Sequence, residues 1–316
     1  MKACIYEEFG EVDVLQIREI KAPEPKSDEV LVRILFAGVN PVDWKIRKGY
    51  LKEVMPHDFP IIPGWDGAGI VSGCGANVTE FKVGDEVFGD FNTGSVKWGT
   101  YAEFALAKEV CLAKKPATMT FQVAACLPIV SLTAWQALFE FANLQAGQAV
   151  LVHAGAGGVG GMAVQFAHMK GATVITTASS KNHEYVRTLG ADSVIDYTKE
   201  NVKEKLFSVF PEGVDVVLDC VGGTVCEESA QLVKKGGCLV SIVEVQAEHF
   251  STPVCKAGFI FAYPNSEQLD EIARLITTGK IQAPKITEFP LNEAKKAQEL
   301  MQTGHVSGKI ILNASS

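Results

Sequence analysis

The sequence predicts an α/β chain in two parts: an irregular β-barrel-like part and a doubly wound parallel sheet flanked by helices. Three observations carry that reading. At 316 residues the chain is long for a single core, and large chains divide once one core stops growing. Residues 1 to about 120 are rich in Gly, Pro and Val and alternate like strands, with no long helical pattern. From about 121 to 258 short apolar runs alternate with helical stretches, and strands spaced in that way pair in parallel through crossovers. The texture turns mixed again from about 259. Residues 259–316 are therefore assigned to completing the first part, 1–120, with 121–258 as the second.

In the first part, "DEVLVRILFAGV" alternates Val30, Val32, Ile34 and Phe36 with Leu31, Arg33 and Leu35, the period of a sheet strand. The stretch "IIPGWDGAGIV" sets Trp65 and Asp66 among Gly64, Gly67 and Gly69, which marks a tight bend or a close backbone approach. In the second part, "AVLVHA" is a short strand, followed by a helix "GVGGMAVQFAHMKG" closed at Gly171. "ATVITTA" is the next strand, and a second helix ends at "VRTLG". Then come the strands "SVIDY", "VDVVLDC" and "GCLVSIV", with helices expected around 199–209 and 224–235. Beyond 259, "SEQLDEIARLITTGK" carries Leu269, Ile272, Ala273 and Ile276 on one helical face. "NEAKKAQELMQTG" reads as another helix and "GKIILNA" as a closing strand.

Composition narrows the function classes. A net charge of −8 with no dense Lys/Arg run argues against a nucleic-acid partner, which needs a positive field. No apolar run reaches the roughly 18 residues of a membrane span, and the start lacks a signal-peptide pattern. The eight cysteines are scattered without a Cys-x-x-Cys pair, as in a reduced cytoplasmic protein. His153, at the end of a buried strand, reads as a satisfied core histidine, and Cys220 as a buried structural thiol.

"VLVHAGAGGVGG" contains G-x-G-x-x-G as Gly155, Gly157 and Gly160, with Gly158 and Val159 inside it. The motif is weak alone and strong here, because it follows a strand and opens a helix. Gly155 permits the turn, Gly157 admits a pyrophosphate to the backbone, and Gly160 lets helix and strand pack. The helix start adds free N–H groups and a positive dipole end. An NAD site places a carboxylate at the end of the next strand. This chain has Ser179, Ser180 and Lys181 there, with no acid before Glu184, and Tyr197 ends the following strand. Hydroxyls and an ammonium suit a 2′-phosphate, which a carboxylate would repel. NADPH is the expected cofactor; Lys181 as a plain surface lysine is the alternative.

The chain also resembles the medium-chain dehydrogenase/reductase superfamily, and within it the zinc-free quinone oxidoreductases and enone or alkenal oxidoreductases. The resemblance rests on "AGVNPVDWKIRKG", "PIIPGWDGAGIV", "VGDEVFG", "GTYAEF", "LTAWQAL", "HAGAGGVGG", "LGADSVIDY" and "GHVSGKIIL", in that order over nearly the whole chain. It implies a GroES-like catalytic domain plus a Rossmann domain. Where the zinc enzymes of the superfamily carry a cysteine ligand this chain has Asn40, and where they carry Gly-His-Glu it has Gly64, Trp65 and Asp66. The four-cysteine lobe is missing too, so no metal is expected. Trp65 is read either as the occupant of a vacated ligand position or as core filler.

Without a Lewis acid, simple alcohol oxidation is disfavoured. Hydride transfer to quinones and to the C=C bond of enones and enals is favoured, because charge spreads through conjugation. The resemblance implies Lys45 and Asn40 as catalytic residues and Trp44, Trp65 and Asp66 as substrate-pocket residues. Asp43 is expected to fix the turn or pair with a nearby cation rather than perform chemistry. Around the cofactor it implies Lys45, Thr133, Val221, Val243, Phe259, Ile260 and Phe261. It also implies a homodimer through a sheet edge near "GFIFAY", whose apolar residues would otherwise leave an exposed strand. Two alternatives stand beside this reading: a one-electron quinone reductase, and a non-catalytic NADPH-binding sensor or structural protein.

Overall fold

The structure is a computed structural model and describes residues 1–252 and 255–315. The chain divides into two units. One comprises 1–129, 264–279 and 283–316, and the other 130–263 and 280–282.

The first unit is built on a seven-stranded sheet ordered Ile286–Pro290, Lys309–Asn313, Glu29–Val39, Asp66–Cys74, Glu86–Asp90, Leu112–Lys114, with Phe104–Lys108 also paired to Glu29–Val39. The eleven-residue strand Glu29–Val39 organises it. Val30, Val32 and Ile34 are buried while Arg33 points out, as the alternation predicts. Its first half pairs with Phe104–Lys108 and its last residues with Lys309–Asn313, so one edge of a single strand serves two partners. The opposite edge pairs with Asp66–Cys74, with two register shifts that bend the strand. The glycines around Trp65 have separate causes. Gly64 has φ +97°, and a Cβ at Gly69 would lie 2.0 Å from the Arg33 carbonyl oxygen.

Helix Pro41–Arg47 follows that strand and ends in an arginine with 0% exposure. Arg47 donates from Nε to Gln298 Oε1 at 2.8 Å, from Nη2 to Gln302 Oε1 at 3.1 Å and from Nη1 to the Gly10 carbonyl at 2.6 Å. A buried guanidinium is tolerated only with its donors engaged. Here it ties the helix to Ala294–Gln302.

The second unit holds six parallel strands in the order Ser193–Ile195, Thr173–Thr177, Ala149–Val152, Val214–Asp219, Val233–Ser241, Lys256–Phe259. Numbered along the chain, that order is 3-2-1-4-5-6, which reverses direction after Ala149–Val152. Leu151, Ile175, Ile195, Val217, Leu239 and Ala257 form the core of the unit. Helix Gly158–Lys170 ends at Gly171 with φ +83°, the left-handed cap expected there.

The helix expected over 224–235 is shorter, Thr224–Ser229, because Val233–Ser241 is already strand. Val233 already pairs with Val214 in the sheet, with a register shift at Val214/Val216 and Gly236 at φ +82° inside the strand. Likewise the helix around 199–209 runs Val202–Phe207, started by Asn201 Oδ1 accepting from the Glu204 N–H. No helix among the described residues is long and apolar enough to cross a membrane.

Candidate active site

Two groups of side chains carry chemistry, one in each unit. In the first unit, Asn40 caps helix Pro41–Arg47, with Pro41 at its first position. The Asn40 N–H donates to Asp43 Oδ2 at 2.8 Å, and Tyr101 OH donates to the same oxygen at 2.8 Å. Asp43 thus fixes the turn, as expected. Its Oδ1 is buried without a partner, and burial pushes the carboxyl up to about 7.

The Asn40 side chain is held at both ends. Its Nδ2 donates to Asp66 Oδ2 at 2.8 Å, and its Oδ1 accepts from Lys309 Nζ at 2.6 Å. Lys309 Nζ also donates to Asp66 Oδ2 at 3.1 Å and to the Val39 carbonyl at 3.1 Å. The Ile129 N–H donates to Asp66 Oδ1 at 2.8 Å. Asp66 and Lys309 are 0% and 2% exposed, so each neutralises a charge that would otherwise be stranded in the core. The pair also settles the amide's direction, since an ammonium only donates and a carboxylate only accepts. Lys309 was not singled out from the sequence. A lysine inside the apolar "GKIILNA" and an aspartate inside "GWDGAGIV" were the signal, because two buried charges of opposite sign require each other.

Asp90 lies directly across the sheet from Asp66. Burial first, and then the Asp66 charge, raise its carboxyl to about 8. Trp65 is 5% exposed and part of the core. It also lines a small pocket with Asp43, Ile62, Phe91, Val96 and Trp98, so it is filler and wall at once. Lys45 is half-buried, with Nζ 5.9 Å from the Trp44 ring centroid. Lys48 sits 5.8 Å from the same ring and is ion-paired to Glu11 at 2.8 Å. Burial lowers the Lys45 pKa, and no carboxylate among the described residues forms an ion pair with it.

In the second unit the glycine loop follows Ala149–Val152, where the strand order reverses. Gly157 caps the thirteen-residue helix Gly158–Lys170 with no side chain capping its start. A Cβ on Gly155 would lie 2.0 Å from Thr176 Oγ1, and one on Gly160 would lie 2.3 Å from the Ala154 carbonyl oxygen. One on Gly157 would meet only that oxygen, at 3.3 Å. Gly155 and Gly160 are therefore required by the protein's own packing, whereas Gly157 leaves room for something else. Gly158 and Val159 form the half-buried first turn. His153 braces this loop. Its Nε2 lies 2.9 Å from Ser229 Oγ and its Nδ1 3.3 Å from Thr177 Oγ1, which accepts from the Ala154 N–H at 3.0 Å. Burial lowers the imidazole to about 4, so it is a neutral core histidine.

The other predicted residues lie beyond the carboxyl ends of neighbouring strands. Ser179, Ser180 and Lys181 follow Thr173–Thr177, and Tyr197, 50% exposed, follows Ser193–Ile195. Val221 follows Val214–Asp219, Val243 follows Val233–Ser241, and Phe259, Ile260 and Phe261 end or follow Lys256–Phe259. Asp219 ties two of these loops together, a role not read from the sequence. Its Oδ1 accepts from the Val221 and Gly222 N–H groups at 2.9 Å, and its Oδ2 from Ser241 Oγ at 2.6 Å. Thr133 is buried in helix Pro128–Trp135. Cys220 is half-buried rather than fully buried, and its thiol is pushed well up by burial.

Residues 26–117 match the family described as alcohol dehydrogenase GroES-like domain, and 189–312 the family described as zinc-binding dehydrogenase. Over 99% of its length the chain is 36% identical to an NADPH-dependent alkenal/one oxidoreductase, chloroplastic, of Arabidopsis thaliana, covering 79% of that protein. It is similar to the solved quinone oxidoreductase from Coxiella burnetii, with TM-score 0.89, 35% identity and 99% of both chains covered. A third likeness is to Escherichia coli quinone oxidoreductase complexed with NADPH, with TM-score 0.87, 26% identity, and 99% of this chain and 100% of that one covered.

Proposed function

We propose a function from one premise: the chain belongs to the medium-chain dehydrogenase/reductase superfamily. On that premise it is an NADPH-dependent oxidoreductase that reduces quinones or the C=C bond of α,β-unsaturated carbonyls. The observation that carries the reading is the uncapped start of helix Gly158–Lys170, opened by a glycine loop at the reversal of strand order. Backbone N–H groups and a dipole end offered without a competing side chain fit a pyrophosphate.

Gly155 to Gly160 would hold the pyrophosphate. Ser179, Lys181 and Tyr197 would hold the 2′-phosphate end, with Ser180 in the same loop but donating its proton to Asp196, and Thr133, Val221, Val243 and Phe259 to Phe261 the nicotinamide side. When bound, NADPH supplies the hydride, and negative charge grows on the acceptor's conjugated oxygen. Lys45 is assigned as the donor to that oxygen. Its Nζ carries the proton, and burial makes that proton easier to give up than an ordinary lysine's. Asn40 acts only as a donor, because Lys309 occupies its Oδ1 and Asp66 takes one of its N–H bonds. Trp44 and Trp65 are assigned as pocket walls, and Asp66 as the group that fixes Asn40.

The same donor set supports zinc independence. Asn40 is a poor metal ligand, the Asp66 carboxylate is already engaged by three donor groups, and among the described residues no three His, Cys, Asp or Glu converge. A homodimer through the sheet edge at Lys256–Phe259 belongs to this reading as well.

The test is NADPH oxidation followed with a panel of 1,4-quinones, enals and enones, repeated with NADH and after chelation. The expected result is turnover that prefers NADPH, ranks substrates sharply and ignores the chelator. Loss of activity on chelation, or tight NADPH binding without turnover of any electrophile, would overturn it.

A further inference from the structure

The adenosine end of the second unit holds a cation outside the Ser-Ser-Lys stretch. Lys199 follows the short strand Ser193–Ile195, and its Nζ donates to Ser180 Oγ at 2.6 Å. Ser180 Oγ in turn donates its only proton to Asp196 Oδ2. Asp196 Oδ1 accepts from the Thr198 N–H at 3.1 Å and from Thr198 Oγ1 at 2.6 Å, and Lys199 Nζ stands 3.7 Å from Oδ2. The carboxylate is 3% exposed. The hydrogen bonds from Ser180 and then Thr198 hold it well below the usual carboxylate range.

Asp196 follows Ser193–Ile195, the third strand of the unit, and its oxygens already accept from Ser180 and Thr198. It anchors these neighbours. Ser180 has no proton left to give a phosphate while it donates to Asp196, so it is a relay between anion and cation. Lys199 spends one N–H on Ser180 and keeps two others. It sits beside the loop that follows Thr173–Thr177, where the second strand of a doubly wound sheet meets the adenosine ribose.

We propose that Lys199 is a specificity-determining residue for NADPH, its ammonium pairing with the 2′-phosphate, with Asp196 and Ser180 as the positioning residues that hold it there. The inference rests on the NADPH reading above and extends it to a residue outside the sequence motifs.

Equilibrium titrations of NADPH and of NADH, followed by nicotinamide fluorescence at two salt concentrations, test it without any turnover. Lys199→Met should weaken NADPH roughly 10-fold, the scale of one charge-assisted contact, leave NADH unchanged and flatten the salt dependence. Lys199→Arg should keep most of the discrimination. Asp196→Asn should lower the NADPH/NADH affinity ratio in the same direction as Lys199→Met, by a smaller factor. Unchanged NADH binding reports that each variant is folded. If the wild-type protein binds neither nucleotide, the NADPH reading itself fails. If it binds NADPH and Lys199→Met leaves the ratio unaltered, or weakens both nucleotides alike, Lys199 is only a surface ion pair and the proposal is overturned.

Discussion

Lys45 and Lys309 show how the surroundings of an ammonium decide its work. Lys309 is buried with three acceptors and has no freedom to act on a substrate, whereas Lys45 has an aromatic neighbour and a lowered pKa. If Lys45 is the donor, Lys45→Met should lower kcat by about 100-fold, within the usual range for a positioned acid, with NADPH affinity changed far less. Because its folded pKa lies below 10.5, the protonated form disappears earlier on the alkaline side, and kcat/KM should fall there. Lys45→Arg keeps its proton at all these pH values. An alkaline limb that survives in that variant would assign the donor elsewhere. Asp90 makes a stability prediction of definite sign. Its folded pKa, about 8, lies above the ordinary 3.8, so the native state binds the extra proton between those values. That contribution is complete below pH 3.8 and is lost as pH rises through about 8. Wild type should therefore lose on the order of 4 kcal/mol more than Asp90→Asn between pH 5 and 9, measurable as urea midpoints. Equal slopes would mean that Asp90 is ionised throughout.

At the scale of elements, two glycines of one loop separate packing from binding. Gly157→Ala has an allowed φ of −77° and a tolerable nearest contact. It should keep the melting temperature within a few degrees while weakening NADPH binding at least 10-fold, because its methyl group fills the space left for the pyrophosphate. Gly160→Ala collides with the Ala154 carbonyl and should lower both. Calorimetry and titration on the two variants check the distinction, and a Gly157→Ala protein that binds normally would move the pyrophosphate elsewhere. The same loop shows what a sequence reveals. Glycine spacing and strand–helix alternation are local patterns, so the loop, helix Gly158–Lys170 and its end at Gly171 were legible from the letters. So was the buried alternation of Val30, Val32 and Ile34. What escaped depends on residues far apart in the chain. Lys309 finds Asp66 across 243 positions, and no local period records that. Thr224–Ser229 stops early because a strand begins at Val233, which is a tertiary demand. Lys199 escaped for a subtler reason, since its value comes from a proton that Ser180 gives to Asp196.

For the whole molecule, the sheet edge at Lys256–Phe259 leads to a test of assembly. Phe261, just past it, is 52% exposed, and a second copy of the chain would cover that edge. Sedimentation equilibrium should find a dimer, and Phe261→Glu should shift the mass toward the monomer; a monomeric wild type would remove that part of the reading. The chain's path through its two units has a further consequence. Because the first unit is assembled from 1–129 and from stretches after 263, its sheet waits on strand Lys309–Asn313, while the parallel sheet closes some fifty residues earlier, at Lys256–Phe259. During synthesis the nucleotide unit can therefore mature on the ribosome, but Asp66 has been translated long before the ammonium that neutralises it. A chain that stops before Lys309 would leave that carboxylate stranded in an open sheet, without the ammonium that it meets there.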